Sequence, residues 1–148
     1  GVDQEHTLNL LVLGGLLHDL DHHHTEVQLD QRLSDMDEKT LAIYKQHPVN
    51  GVSRAQNCQA YDDVVLRIIA QHEEFVDGSG FPNGLRESDM DPSALIAAAA
   101  NSYDRLVSFE GLPPKEALRE LLIERMGLHP LQHLKALQAV LKDRSVIT

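Results

Sequence analysis

Apolar residues recur at steps of three and four through the long segments of this chain, and no stretch of any length alternates apolar with polar. That period belongs to helices that bury one face, and it predicts an all-α fold. Leu8, Leu10, Leu11, Leu13, Leu16 and Leu17 make one broad apolar face. Gly14 and Gly15 within it either weaken the helix or let another helix approach closely. A polar segment follows, over about residues 21–37. "MDEKTLAIYKQHP" predicts a second helix that stops near His47, because Pro48 pushes its predecessor out of the α region. "YDDVVLRIIAQHEE", from Tyr61, predicts a third, with Val64, Val65, Ile68 and Ile69 as its buried stripe. Its β-branched residues would suit a strand, but their spacing and the interleaved charges favour helix. Beyond a loop from Asp77 to Asp91, "PSALIAAAANSYDRLVS", "PPKEALRELLIERMG" and "PLQHLKALQAVLKD" predict three more helices. Proline suits their starts, and Gly127 suits an end.

The 148 residues suit one domain, taken as 1–148, and are enough to bury a core. A net charge of −10 excludes nonspecific binding of a nucleic-acid polymer, which needs a basic surface. An acidic chain still handles phosphate esters when metal ions supply local positive charge. "LNLLVLGGLL" is too short to span a bilayer and lacks the flanks of a signal peptide, so no membrane association is expected. Cys58 is the single cysteine, so no internal disulfide forms and a reducing cytoplasm fits. Gly1 is compatible with a scar of tag removal.

Nine histidines are many for an acidic chain, and their placement matters more than their number. His18 and Asp19 end the most apolar helix, where an imidazole beside a carboxylate offers a metal two ligands and the carboxylate can bridge two ions. The simpler reading is a histidine satisfying the helix dipole. His47 precedes Pro48 and reads on its own as a surface helix end. His72, Glu73 and Glu74 close the third helix, where acids oppose the dipole and so suggest a cation. Asn101 and Asp104, three apart, share one face of the alanine-rich helix, and a buried structural hydrogen bond is the simpler reading of the asparagine. His22 lies three beyond Asp19, within reach of the same site, whereas His23 and His24 read as exposed loop. His129 and His133, with Pro130 between them, read as surface. "GSGFPNG" lacks a dinucleotide fingerprint's spacing and is a constrained loop whose glycines permit close backbone approach. Together these residues offer donors from four helix ends or interiors, and helix bundles build metal sites from such inward groups.

The order "LLHDL", "HP", "IIAQHEE..DGSGFPNGL" and "ALIAAAANSYDRL" resembles the HD-GYP family of metal-dependent phosphohydrolases, from about Leu11 to the C-terminus. The resemblance implies a compact helical bundle of the HD-domain type, a cluster of two or three metals, often iron or manganese, and hydrolysis of cyclic di-GMP. It implies metal ligands at His18, Asp19, His47 and His72, and a signature loop at Asp77, Gly78, Gly80, Phe81 and Pro82 that meets substrate or a partner. It also locates departures. Glu73 stands for the motif's second histidine, Asn101 for a ligand aspartate, His22 for the lysine that faces substrate phosphate, and Phe81 for the tyrosine of GYP. The family's most N-terminal helix, with its metal-binding histidine, has no counterpart here, and His6 is too close to His18 to serve. The metal set is therefore His18, Asp19, His47, His72, Glu73 and Asn101, with Asp19 and His22 nearest the chemistry. The expectation is at most one firmly bound divalent metal, iron or manganese before zinc or magnesium, with none as the limiting case. A degenerate signalling domain, binding cyclic di-GMP, another phosphate ester or another signalling domain, is favoured over an active phosphodiesterase with an altered metal site.

Overall fold

The computed structural model describes residues 2–57 and 62–148. Gly1, Cys58 and the start of the third predicted helix at Tyr61 lie outside the described residues. Among the described residues six α-helices are formed: α1 (Val2–Leu17), α2 (Glu38–Asn57), α3 (Asp63–Gln71), α4 (Pro92–Asp104), α5 (Pro114–Arg119) and α6 (Leu131–Asp143). Among the described residues there is no strand, only an isolated bridge between Asp77 and Arg86. The fold is all-α, as the periodicity predicts.

Local chemistry sets the helix starts. The Asp62 carboxylate accepts the Val64 amide at 2.9 Å, and the Asp91 carboxylate accepts the Ser93 amide at 2.8 Å, each meeting a donor that a first turn leaves free. Pro92 then takes the first position of α4, where no amide hydrogen is needed. The C-terminal ends of α4 and α5 do not stop there but widen into π-turns, Arg105–Phe109 and Glu120–Glu124.

Helix α2 departs from the expectation. It runs through Pro48 to Asn57 instead of stopping near His47. Proline inside a helix leaves the carbonyl four residues back without its amide donor. That carbonyl belongs to Tyr44, and the His47 ring supplies the missing donor, Nδ1 to oxygen 2.6 Å. The helix continues because a side chain replaces the lost bond.

Three apolar clusters form the interior. Helices α1, α2 and α3 meet around Ala55, Val65 and Ile69, with Leu10, Leu13 and Leu17 packed against them. Leu8 and Leu16, also on the predicted apolar face, are exposed. The second cluster joins α4 to α5 and α6 through Ala99, Leu106, Ala117, Leu121 and Leu134. The third closes the C-terminus with Leu118, Leu141 and Ile147. His129, expected at the surface, is instead buried, because its Nε2 meets the Ser102 hydroxyl at 2.8 Å and its ring edge meets Phe75. It ties the chain entering α6 back to α4.

Gly14 resolves the question of the paired glycines. A Cβ there would sit 2.5 Å from Ile68 Cδ1 and 2.9 Å from Ile68 Cβ, whereas one at Gly15 would meet nothing within 4 Å. Gly14 lets α1 pack directly on Ile68 of α3, whereas Gly15 faces open space. Gly14→Ala is therefore expected to push α1 off α3 and lower stability by about 1–3 kcal/mol, the usual cost of overpacking. Gly15→Ala should be neutral or slightly stabilising, and urea unfolding of both variants checks the contrast.

A pH dependence follows from His129. Burial, followed by the charge of His133, lowers its pKa to about 4 from an ordinary 6.5. The unfolded chain therefore takes up this proton first as pH falls. The stabilisation is complete above about 6.5 and is lost progressively toward 4, amounting to roughly 2 kcal/mol between pH 7 and pH 5. His129→Gln should flatten that part of the acid limb, as measured by urea unfolding at the two pH values.

Candidate metal centre

Three histidines arrive from three helices, each prepared in the same way. His18 follows the end of α1, and its Nδ1 meets the Gly15 carbonyl at 2.7 Å. His72 follows the end of α3, and its Nδ1 meets the Ile69 carbonyl at 2.9 Å. His47, within α2, uses the Tyr44 carbonyl freed by Pro48. The last carbonyls of a helix have no helical donor, so each ring caps an oxygen three residues behind it. A carbonyl only accepts, so each Nδ1 carries a hydrogen, and Nε2 presents a lone pair whenever the ring is neutral.

Those lone pairs converge on one carboxylate. His18 Nε2 lies 3.2 Å from Asp19 Oδ2, and His47 and His72 Nε2 each lie 3.4 Å from Asp19 Oδ1. His47 and His72 Nε2 are only 2.8 Å apart. With the rings neutral, two lone pairs and a carboxylate at these distances repel unless a cation, a metal ion or a proton, lies among them. Backbone-tethered imidazoles with free Nε2, grouped around an aspartate, are a donor set that fits a metal. Donor atoms of His18, Asp19 and His72 lie within 4.8 Å of one another, as do those of Asp19, His22 and His47, and those of His47, His72 and Glu73.

The electrostatics agree. Burial pushes the Asp19 carboxyl up, but His18, His47 and His72, donating from Nε2 when protonated, outweigh it and hold the group well below the usual carboxylate range. Burial lowers the His18 pKa, and the hydrogen bond and charge of Asp19 more than reverse this, raising it to about 8. His22 goes the other way: burial, then the charge of His47, lower it to about 4, so the ring is neutral at pH 7. It stacks at 4.1 Å on His47 and 5.2 Å on Tyr44, its Nε2 is 3.6 Å from Asp19, and its Nδ1 is buried without a partner.

The two consecutive glutamates point to different tasks. Glu73 is buried, with Oε1 4.0 Å from His47 Nε2. Glu74 is fully buried, but its oxygens accept the Asn83 and Leu85 amides at 2.6 and 2.9 Å. The expectation of a cation beside both acids is thus corrected for Glu74, whose charge is met by loop amides. Around it the signature loop folds. Gly80 lies so close to Phe75 N and to the backbone of Glu73 and Glu74 that no Cβ fits, and Phe81 N donates to the Glu73 carbonyl at 3.1 Å. Asp77 accepts from the Ser79 amide and hydroxyl, and Gly78 takes a φ of +84°. Phe81 reaches the cluster, edge-on to Tyr44 at 5.9 Å and His47 at 6.3 Å. Pro82, across a cis peptide from Phe81, lines a separate shallow cavity with Val49 and Ala70.

Asn101 stands at the border. It lines a cavity of about 400 Å³ with Glu73, Arg32, Arg105 and Arg125, and a second, apolar one of similar size with His18, Leu11 and Ile96. Asp104 lines the second and accepts the Ser108 hydroxyl. His23 and His24 are exposed. Sequence reasoning missed Tyr44, whose hydroxyl donates to Glu73 Oε1 at 2.5 Å, and Arg105, buried beside it. Tyr44's position three residues before His47, on the same helix face, was the available signal. It also missed Asp21, buried and held by Arg54 and Asn50 at 2.6 and 3.0 Å, which fastens the turn after the HD pair to α2.

Three imidazoles from three helices or their ends, gathered around one aspartate in an all-α fold, define a helical domain with a candidate metal site. The family model described as "HD domain" matches residues 15–129, and the chain belongs to that family, in its HD-GYP branch. A solved structure, an HDG"Y"P protein from Bdellovibrio bacteriovorus, is 48% identical with a TM-score of 0.83, over 90% of this chain and 43% of that one. A cyclic di-GMP phosphodiesterase of Pseudomonas aeruginosa is 26% identical over 113 residues, 74% of this chain and 27% of the relative. A cyclic di-GMP phosphodiesterase of Thermotoga maritima is 43% identical over 58 residues, 36% of this chain and 16% of the relative. A 3'3'-cGAMP-specific phosphodiesterase of Vibrio cholerae is 33% identical over 98 residues, 64% of this chain and 19% of the relative. The chain thus spans only a small part of the length of these curated relatives.

The role of Pro48 can be tested directly. Pro48→Ala restores an amide donor to the Tyr44 carbonyl and makes it compete with His47 Nδ1. The expected outcome is Mn²⁺ affinity weakened by about tenfold, the low end for loss of a ligand's outer partner, with helix content unchanged. Equilibrium dialysis and circular dichroism measure the two.

Proposed function

We propose that this domain holds one divalent metal through His18, Asp19, His47 and His72, with Glu73 beside them. It recognises a phosphodiester of the cyclic dinucleotide type and hydrolyses it slowly or not at all, serving signalling through the bound state. The observation that carries the metal is the convergence of backbone-tethered Nε2 atoms, two of them 2.8 Å apart, on an aspartate held ionised. The relatives named for cyclic di-GMP support the ligand class.

A bound divalent cation would act as a Lewis acid on a phosphoryl oxygen and lower the pKa of water. The chain's own residues do the rest. Backbone-tethered histidines present their donors without reorganising, Phe81 covers the cluster, and Asp19 remains an anion across the physiological range. The changes at His22 and Asn101 argue for slow turnover. A ring neutral at pH 7 holds a phosphate less well than an ammonium, and a carboxamide holds a divalent cation less well than a carboxylate.

The active-enzyme reading has one observation in its favour: Glu73 and Asn101 line the same cavity, so the anion gained at one position offsets the anion missing at the other. Metal analysis and a product assay separate the readings. At most one firmly bound metal per chain and little cyclic di-GMP hydrolysis are expected, and two or more metals with chelator-sensitive turnover would instead establish the active enzyme. Asn101→Asp combined with Glu73→His should raise metal affinity more than it raises hydrolysis. Titration of both proteins with Mn²⁺, beside the product assay, measures the difference.

A further inference from the structure

Glu73 is held by a chain of hydrogen bonds that reaches across the domain. The Tyr44 hydroxyl lies 2.5 Å from Glu73 Oε1, and Arg105 Nη1 lies 2.8 Å from that same hydroxyl. The direction of each bond is fixed by valence. A hydroxyl has one hydrogen, a carboxylate can only accept it, and a guanidinium can only donate. The order is therefore Arg105 to Tyr44 to Glu73. A hydroxyl that accepts from a cation becomes a stronger donor, so the two bonds reinforce one another.

All three residues are buried, with relative exposures of 2% for Tyr44, 5% for Glu73 and 7% for Arg105. Arg105 also donates from Nη2 to the Gln31 carbonyl at 3.1 Å, and its guanidinium lies 4.9 Å from the centre of the Tyr44 ring. It stands where α4 gives way to the π-turn Arg105–Phe109. Such turns re-aim side chains and recur at functional sites. Tyr44, on α2, sits one turn before His47 and packs against His22, His47 and Phe81. One helix therefore carries both a metal-facing histidine and the brace of a metal-facing carboxylate.

We infer that Tyr44 and Arg105 are positioning residues that hold the Glu73 carboxylate as the third donor of the His47, His72 and Glu73 group. The inference rests on the metal-centre reading above and adds to it the means by which a glutamate occupies that place. A long flexible side chain beside two fixed imidazoles contributes to a metal site only if its rotamer is held. The brace restricts it at Oε1, the oxygen that lies 4.0 Å from His47 Nε2.

The test is a double-mutant cycle read by Mn²⁺ affinity, with free Mn²⁺ counted by electron paramagnetic resonance and folding monitored by thermal unfolding. Tyr44→Phe keeps the ring packing and removes the relay. It should weaken Mn²⁺ binding by about tenfold in the wild-type background. In the Glu73→Gln background, whose binding is already weaker, the same change should cost less than about twofold, because a residue that acts through Glu73 has nothing left to position. Arg105→Lys, which keeps the charge and loses the planar fork, should fall between wild type and Tyr44→Phe. An equal loss in both backgrounds would overturn the inference, since Tyr44 would then act on the fold at large. So would undiminished affinity in Tyr44→Phe while Glu73→Gln loses metal. Failure of the wild-type chain to bind Mn²⁺ at all would remove the metal-centre reading and this inference with it, and is thereby distinct from the other two results.

Discussion

A ring nitrogen donating to a carbonyl three residues behind it is the interaction on which this site depends. It occurs at Gly15, Tyr44 and Ile69, and each time it does two things. It satisfies a backbone oxygen that its helix leaves without a donor, and it fixes which imidazole nitrogen faces inward. Helix termination is usually described as a matter of stability. Here it also determines tautomers, because a helix end in α1, a helix end in α3 and a proline in α2 each create the orphan acceptor. Metal sites commonly recruit separate outer residues to orient their histidines. This candidate site draws the orienting groups from the same turns that carry the histidines.

The packing serves that arrangement. The ends of α1 and α3 must lie close enough for His18 and His72 to share Asp19, and Gly14 against Ile68 allows it. The alanines buried on α4, Ala94, Ala98 and Ala99, leave little bulk between that helix and its neighbours. Asn101 is thereby brought to the margin of the cluster. Asp21, pinned by Arg54 and Asn50, keeps the turn after the HD pair seated on α2 and His22 under the imidazoles.

Much of this was legible in the sequence. The helical period gave the fold class, whereas the HD pair and His47, each read alone, favoured a helix-end role, and only the order of the motifs and their family resemblance joined them with His72. What could not be read has physical causes. Pro48 signals a stop by local rules, and only the His47 ring overrides it. Glu73 and Glu74 are identical neighbours, and nothing local says that one faces imidazoles while the other collects loop amides. Tyr44 and Arg105 are 61 residues apart and meet only in the folded chain. His129 looked exposed beside Pro130, yet long-range contacts with Ser102 and Phe75 bury it.

The divergence of Glu73 and Glu74 ties cluster and loop together at their root. Glu74 grips the loop through Asn83 and Leu85, Glu73 faces the imidazoles, and the Glu73 carbonyl receives the Phe81 amide. One peptide unit is therefore a shared hinge pin. Swinging the loop outward breaks its bonds to Glu74 and to the Glu73 carbonyl, at the residue whose side chain faces the imidazoles. Loop and cluster behave as a single mechanical part, so the mouth of the site cannot be reshaped independently of its floor.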